Sequence, residues 1–287
     1  MIRVVKFSGG LGNQLFEYCF YLFLKNKYPR DRVYWDSDAY LSYTLHYGFE
    51  MPAIFPATGC EAYPFIKKII ASEKLRKHLV KRIYEKQAST FDPDIRSSSR
   101  LIKYYEGYWQ TEKYFLPLAE QVREKLTFRE DRIKSENKAI AAEMKKENSI
   151  SLHLRLGDYQ NNPEARKVHG DICTQTYYRN AIEKMRQLFP EGFHLYLFSD
   201  EPERLSEIIP TEGLKITTIT NNRGTDSWQD MYLMSSCSHH IIANSSFSWW
   251  GAWLNPNPDK VVITPSKWFN TMPAPDMVPE NWIRLGV

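Results

Sequence analysis

Short apolar runs closed by small or polar residues alternate along this chain with longer segments of helical periodicity. Arg3–Phe7 reads as a strand, Ser8-Gly9-Gly10-Leu11-Gly12 as a turn, Asn13–Lys27 as an apolar helix and Arg32–Trp35 as a second strand. That βαβ opening implies a parallel sheet. Residues 66–86 read as one long basic helix, with Ile66, Ile69, Ile70, Leu75, Leu79 and Ile83 at helical spacing. The charged stretch 130–148 reads as an exposed helix or linker, and the apolar strand that follows predicts a domain boundary near residue 148. The second half reads strand 150–154, helix 175–189, strand 193–198, helix 202–208, strand 215–219, helix 227–235, strand 239–243, helix 248–254 and strand 260–264. Strands alternating with helices predict doubly wound sheets, hence an α/β chain of two domains, 1–148 and 149–287. The proline-rich tail after Pro265 is expected to be irregular, with room to run back across the first domain.

Composition changes this picture little. At 287 residues the chain is long enough for two cores. A net charge of +4 suits an anionic small ligand and is too weak to argue for nucleic acid. The four cysteines are scattered without a C-x-x-C pair, as expected of reduced thiols in a cytosolic protein. Cys237-Ser238-His239-His240 lacks a second ligand cluster to complete a metal site. Ile2–Phe7 begins without a charged region and apolar leader before it, and no uncharged apolar run approaches membrane-spanning length. A soluble, cytoplasmic protein is expected, peripheral at the inner face of a membrane at most. The eight Lys and Arg of 66–86, against Glu73 and Glu85, fit either a solvated surface or contact with anionic headgroups.

The candidate chemistry lies at the carboxyl ends of predicted strands, where open α/β sheets bind ligands. Gly9-Gly10-Leu11-Gly12-Asn13-Gln14 lets a backbone come close to a ligand and offers amides for sugar or phosphate oxygens. A dinucleotide fingerprint is the rival, with Asp36 for a ribose, but the third glycine it needs is Leu15. In His153-Leu154-Arg155-Leu156-Gly157-Asp158-Tyr159, Arg155 leaves a buried strand placed to fork onto a phosphate. Asp158 could orient that arginine, act as a base or cap the next turn, and His153 reads as a hydrogen-bonded buried imidazole. Asp200, in Phe198-Ser199-Asp200-Glu201-Pro202, could accept from a guanine edge or a ribose diol, or cap a helix. Asn244-Ser-Ser-Phe-Ser-Trp-Trp-Gly-Ala-Trp253 sets hydroxyls and a helix start before three tryptophans, which suits phosphate or sugar; helix capping and core packing are the other reading. Asp230 is read as a brace for a neighbouring loop. Asp36-Ser37-Asp38 could hold a divalent metal on a nucleotide diphosphate, or be a solvated acidic loop.

In order and spacing over about residues 5–269, these segments resemble the bacterial and animal α-1,2-fucosyltransferases. The resemblance rests on Phe7-Ser-Gly-Gly-Leu-Gly-Asn-Gln-Leu-Phe16, His153-x-Arg155-x-Gly157-Asp158-Tyr159, Ser199-Asp200, and Asp230-Met-Tyr-Leu-Met-Ser-x-Cys237 with Ala243–Leu254. It implies a GT-B-like fold of two facing Rossmann-like domains with an interdomain cleft, 1–148 mainly binding the acceptor and 149–287 the donor. It implies inverting transfer of L-fucose from GDP-β-L-fucose to the 2-hydroxyl of a terminal β-galactoside, in an oligosaccharide or glycan, with no cofactor and no metal. Carried over by position, Arg155 binds the diphosphate; Asp158, beside it on the same loop, is the candidate base, with a weakly base-assisted dissociative path as the alternative. Asp200 reads the guanine, and Ser245, Ser246 and Ser248 surround the phosphates. His153 and the Gly10, Gly12 and Asn13 turn complete the donor set. The family commonly has a second Arg where this chain has Leu156, so the work of a second guanidinium is either missing here or supplied elsewhere, with Arg179 and Arg223 as the candidates. Another linkage or donor sugar, and a non-catalytic carbohydrate-binding protein, are the alternative readings.

Overall fold

Two parallel sheets organise the chain, one in each of two compact units. The computed structural model describes residues 1–42, 46–95 and 99–286. Unit 1 comprises Met1–Arg129 and Ala274–Pro279; unit 2 comprises Glu130–Pro273 and Glu280–Val287.

Unit 1 opens with β1 (Ile2–Lys6), α1 (Leu11–Lys27) and β2 (Arg32–Asp36). Short α2 (Met51–Ile54) is followed by α3 (Pro64–Ala71), α4 (Glu73–Leu79), β3 (Val80–Tyr84), β4 (Ile102–Glu106) and α5 (Ala119–Lys125). The sheet order is β2-β1-β4-β3, all parallel. β1 lies in the interior of the sheet and buries Arg3, Val4 and Val5, as a parallel strand covered on both faces does. α1 is apolar nearly all round because it is buried nearly all round, and Lys25 and Lys27 close it at the end that favours cations.

The long helix expected over 66–86 is not one element. Ser72 adopts an extended backbone that ends α3, and its hydroxyl accepts from Leu75 N–H at 3.3 Å to start α4. After Leu79 the chain extends, and Val80–Tyr84 pairs with Ile102–Glu106, a ladder that outweighs the helical spacing. β4 itself is a central strand carrying a buried Lys103, whose charge hides it in a polar reading.

Unit 2 holds α6 (Ser135–Met144), β5 (Ser149–Leu154), α7 (Gly157–Asn161), α8 (Pro163–His169), α9 (Gln175–Leu188), β6 (His194–Ser199), α10 (Leu205–Ile208), β7 (Lys215–Thr218), α11 (Trp228–Ser236), β8 (His239–Ile241), α12 (Ser246–Leu254), β9 (Val262–Pro265) and β10 (Ile283–Leu285). The sheet is parallel in the order β10-β9-β8-β5-β6-β7. α9 shows why the periodic segments were legible: Tyr177, Tyr178, Ala181, Ile182 and Met185 form one buried stripe on the sheet core.

The chain changes unit earlier than the charge pattern suggests, at Arg129 rather than near 148. α6 is charged on its outer side yet buries Asn137, Ala141 and Met144, and the last two pack with Tyr196, Phe198, Leu233 and Met234. The tail does return to unit 1, where Asp276 accepts from Phe91 N–H at 2.8 Å and pairs with Lys113 at 2.7 Å. No helix among the described residues is long and apolar enough to cross a membrane.

Candidate active site

In unit 2 the chain builds β5, β6 and β7 outward in one direction, then starts again on the other side of β5 with β8, β9 and β10. The carboxyl ends of β5 and β8 therefore flank a topological switch point, where connections leave in opposite directions and open a crevice. Arg155 follows β5, and Asn244–Ser248 follows β8.

Arg155 is held from two sides. Its Nε and Nη2 donate to Asp158 Oδ1 at 3.0 and 2.7 Å, and its Nη1 lies 3.2 Å from Asp200 Oδ2. Burial works against its charge, but Asp200 and Asp158 outweigh that, and the guanidinium stays firmly protonated. The other Asp200 oxygen accepts from Leu156 N–H at 3.0 Å, which ties the end of β6 to the end of β5. Gly157 permits this: a Cβ there would lie 2.3 Å from Asp200 Oδ2. Leu156 points into the sheet core and is buried, so this position contributes a backbone N–H to the site and no side chain.

Beyond the guanidinium, Tyr159 lies under Arg155, 5.7 Å from its ring centre, and stacks on His169 at 4.7 Å and 11°. Tyr159 OH donates to the Asn244 carbonyl at 3.1 Å. The Asn244 side chain is a strut, donating to the carbonyls of His169 and Trp268 at 3.0 and 3.1 Å. The two strand ends are thus joined by side chains from both. Ser245 stands at the N-cap of α12 in an extended conformation, yet its hydroxyl makes no cap bond. Ser248 Oγ donates back to the Ser245 carbonyl at 3.3 Å. The Ser245 side chain at the helix start is small and caps nothing, an arrangement suited to phosphate oxygens.

The tryptophans have a different role. Trp249 and Trp250 are wholly buried and Trp253 nearly so, with Trp249 against Trp282 at 5.4 Å. They anchor α12 in the core rather than offering a face to a sugar. His153 is buried behind Arg155, its ring 6.0 Å from that of Phe247 in the first turn of α12. The expected hydrogen bond is missing at Nδ1, a buried nitrogen without a partner. Burial, aided by the Arg155 charge, pushes His153 down to about 3, so the imidazole is neutral at physiological pH.

Of the two arginines considered as a second guanidinium, Arg223 is at the site and Arg179 is not. Arg223 Nη1 reaches the Asp200 carbonyl at 3.5 Å, whereas Arg179 contacts Gln175 on the exposed side of α9. A buried amide cluster fixes the loop carrying Arg223. Asn137 Nδ2 donates to Asn222 Oδ1 and Gln229 Oε1 at 2.8 and 2.7 Å, and Asn222 Nδ2 to Asp230 Oδ1 at 2.8 Å. Asp230 is the loop brace expected, and burial pushes its carboxyl up to about 7.

In unit 1 the switch point lies between β1 and β4. Gly9 takes a positive φ of 76° to turn the chain into α1, and Gly10 caps the helix without a side chain. Asn13 Oδ1 accepts from Gln110 beyond β4 at 2.8 Å. Gln14 is spent on backbone: its Nε2 donates to Gly48 O at 2.8 Å, and its Oε1 accepts from Glu50 and Met51 N–H at 3.0 and 3.1 Å. Both oxygens of the buried Glu17 accept from Ser8 N–H at 3.0 Å, and burial holds its carboxyl well above the usual range. Gln14 and Glu17 brace the glycine turn, a role their places inside an apolar helix do not reveal. Gly10, Gly12 and Asn13 are therefore set in a rigid turn.

The acidic group Asp36, Asp38 and Glu61 is the place among the described residues where a metal could sit. Lys67 Nζ already lies among them, 2.5 Å from Asp38, 2.6 Å from Glu61 and 3.6 Å from Asp36. The lysine ammonium offsets one of the three carboxylate charges and occupies the centre of the cluster, so a divalent metal would have to displace it.

Three comparisons bear on this arrangement. Residues 61–285 match the model of "Glycosyl transferase family 11". The chain is 33% identical, over 99% of both chains, to an alpha-1,2-colitosyltransferase of Escherichia coli. It is 38% identical to the O-antigen biosynthesis glycosyltransferase WbnK of E. coli over 48% of this chain and 45% of that one. It is 26% identical to the human galactoside alpha-(1,2)-fucosyltransferase 1 over 49% of this chain and 40% of that one. Among solved structures, NodZ α-1,6-fucosyltransferase with GDP matches at a TM-score of 0.50 and 15% identity, covering 87% of this chain and 91% of that one. A variant of Arabidopsis thaliana FUT1 with GDP matches at 0.50 and 13%, covering 97% and 74%. At such identities the likeness is one of fold, and it is the GT-B-like α/β class expected from the sequence.

Proposed function

The chain belongs to glycosyl transferase family 11, and from that premise we propose that it is an inverting galactoside α-1,2-fucosyltransferase using GDP-β-L-fucose. The observation that carries this reading is the Arg155 guanidinium, fixed by Asp158 and Asp200 at the switch point beside the start of α12. The α-1,2 linkage in the names of the E. coli and human relatives supports it.

The reaction needs a place for negative charge. As the bond between fucose and phosphate breaks, charge grows on GDP and the sugar becomes oxocarbenium-like. Arg155 and the N–H groups at the head of α12 stabilise that charge, and they need no reorganisation because both are already positioned. Asp158 is partly exposed, so it can release one edge of the guanidinium to a diphosphate at small cost. Asp200 keeps hold of Leu156 N–H and offers its remaining acceptor capacity to a guanine edge. Asp158 Oδ2, unlike Oδ1, is not committed to Arg155 and is the atom to take the acceptor's proton. His153 is a neutral filler behind the arginine. No metal enters this account, since the guanidinium and the helix start supply the positive potential.

Unit 1 takes the acceptor in this reading. It contains a cavity of about 530 Å³ whose walls include the rings of Tyr84 and Phe91, apolar faces of the kind that pack on a galactose ring. A second donor reading is favoured by one observation: a relative matched over 99% of its length is a colitosyltransferase. Arg155→Ala tests the site. It should lose GDP binding and transfer together; near-normal turnover would remove Arg155 from the donor site. Supplying GDP-fucose and GDP-colitose in parallel to the wild type separates the two donors.

A further inference from the structure

The stretch Tyr63–Lys86 carries eight Lys and Arg against two Glu, although the whole chain has a net charge of only +4. The remainder of the protein is thus slightly acidic, and the excess positive charge is concentrated on α3, α4 and β3. Part of it is neutralised locally: Lys67 serves the Asp36, Asp38 and Glu61 cluster, Lys77 pairs with Glu73, Arg82 with Glu106 and Lys86 with Asp92. Lys68, Lys74 and Lys81 are exposed and make no ion pair among the described residues.

The same stretch exposes apolar side chains. Phe65 is 60% exposed, Tyr63 55% and Leu75 43%. The rings of Tyr63 and Phe65 stack at 6.0 Å and 13°, forming one aromatic ledge. On α3, Phe65 and Lys68 share the solvent side, opposite the buried Ile66 and Ile70. α4 buries no residue at all. Lysines on the edge strand β3 discourage unwanted strand pairing, but that does not account for an exposed Phe, Tyr and Leu beside them.

We propose that the α3–α4–β3 surface docks on a membrane containing anionic phospholipid. The lysines meet the headgroups while Tyr63, Phe65 and Leu75 enter the interfacial layer, the division of labour of peripheral amphipathic segments. The occupant is a lipid surface because the patch pairs unneutralised cations with exposed aromatic and aliphatic side chains. The inference goes beyond the transfer reaction and does not depend on it.

Vesicle flotation of the full chain tests this, with phosphatidylcholine vesicles with and without phosphatidylglycerol. Binding should require the anionic lipid and weaken strongly between about 50 mM and about 500 mM salt as the charges are screened. Lys68→Glu/Lys74→Glu/Lys81→Glu should lose more than about tenfold in partition, since each lysine near such a surface is worth about fivefold. Phe65→Ser/Leu75→Ser should lose several-fold at constant charge. Both variants should keep the wild-type melting temperature and GDP affinity. Absence of wild-type binding to anionic vesicles at low salt would overturn the proposal, and the wild type alone decides this should a variant fail to fold. Binding indifferent to the lysines, or to Phe65 and Leu75, would overturn it equally.

Discussion

Gly157→Ala should leave the fold intact and damage the chemistry, and the structure says why. A Cβ at 157 would meet Asp200 Oδ2 at 2.3 Å, where real Cβ atoms are essentially never closer than 3.0 Å. The clash is with the tip of one side chain, so Asp200 can rotate away and the backbone need not move. Gly157 is the first residue of α7, an end position where alanine is tolerated by the helix itself. Stability should therefore fall only by the Asp200 contacts that are lost, by about 1–3 kcal/mol at most. Rotation of Asp200 by the required distance, however, breaks its bond to Leu156 N–H and its pairing with Arg155. A hydrogen bond to a charged group is worth about 1.5–3 kcal/mol, and a group misplaced by about 1 Å can cost about 100-fold in rate. We expect kcat/KM for the nucleotide sugar to fall about 10- to 100-fold, with GDP affinity falling alongside. Melting temperature, GDP titration calorimetry and steady-state kinetics on the same preparation separate the two effects. Wild-type kinetics would refute the reasoning, because Asp200 would then not be positioning Arg155. A large loss of stability would refute it differently, by showing that the clash is not confined to the Asp200 tip.

The remaining expectations concern neighbouring groups. Asp158→Asn should retain GDP binding within a few-fold while transfer collapses; transfer at the wild-type rate would remove the base role. Arg223→Ala should raise the donor KM by about fivefold, the value of one exposed charge contact, without a change in melting temperature; an unchanged KM would exclude Arg223 from the site. Asp230 has a folded pKa of about 7 against an ordinary 3.8, so the folded state holds its proton more tightly than the unfolded chain. Its contribution to stability is then full below about pH 4 and is lost as the pH rises towards about 7. Asp230→Asn, which keeps the acceptor for Asn222, should flatten the fall in melting temperature between about pH 5 and pH 8; a slope identical to the wild type would contradict the assignment.

Much of unit 2 was legible because its elements obey one rule at a time. Ser149–Leu154 and His194–Ser199 are short apolar runs buried on both faces, and α9 has a single apolar stripe. The position of Arg155, Asp200 and Ser245 at neighbouring strand ends follows from that alternation. Where two signals compete, the reading fails. In 66–86 the apolar residues fit a helix, but Ser72 and pairing with β4 divide the segment. α6 has a charged exterior that conceals its buried face, which moves the unit boundary to Arg129. The tryptophans after Ser248 could have faced a sugar or the core, and only packing decides for the core. Residues that act through long-range contacts left no local signal. Gln14, Glu17, Asn137 and His169 hold the turns and loops from inside or beside elements whose pattern concerns burial alone. Leu156 shows the opposite case: a missing arginine was visible in the sequence, but not that its position points into the core.

In the proposed reaction a fixed guanidinium and a helix start, without a metal, stabilise the departing GDP as the fucosyl group passes to an acceptor sugar. Release of GDP from GDP-fucose by the wild type, with and without lactose and with a chelator throughout, tests it most directly. The account predicts lactose-dependent release that the chelator leaves undiminished, and a product fucosylated at the galactose 2-hydroxyl. Release that vanishes with the chelator and returns with a divalent metal would contradict it, as would a chain that fails to bind GDP at all.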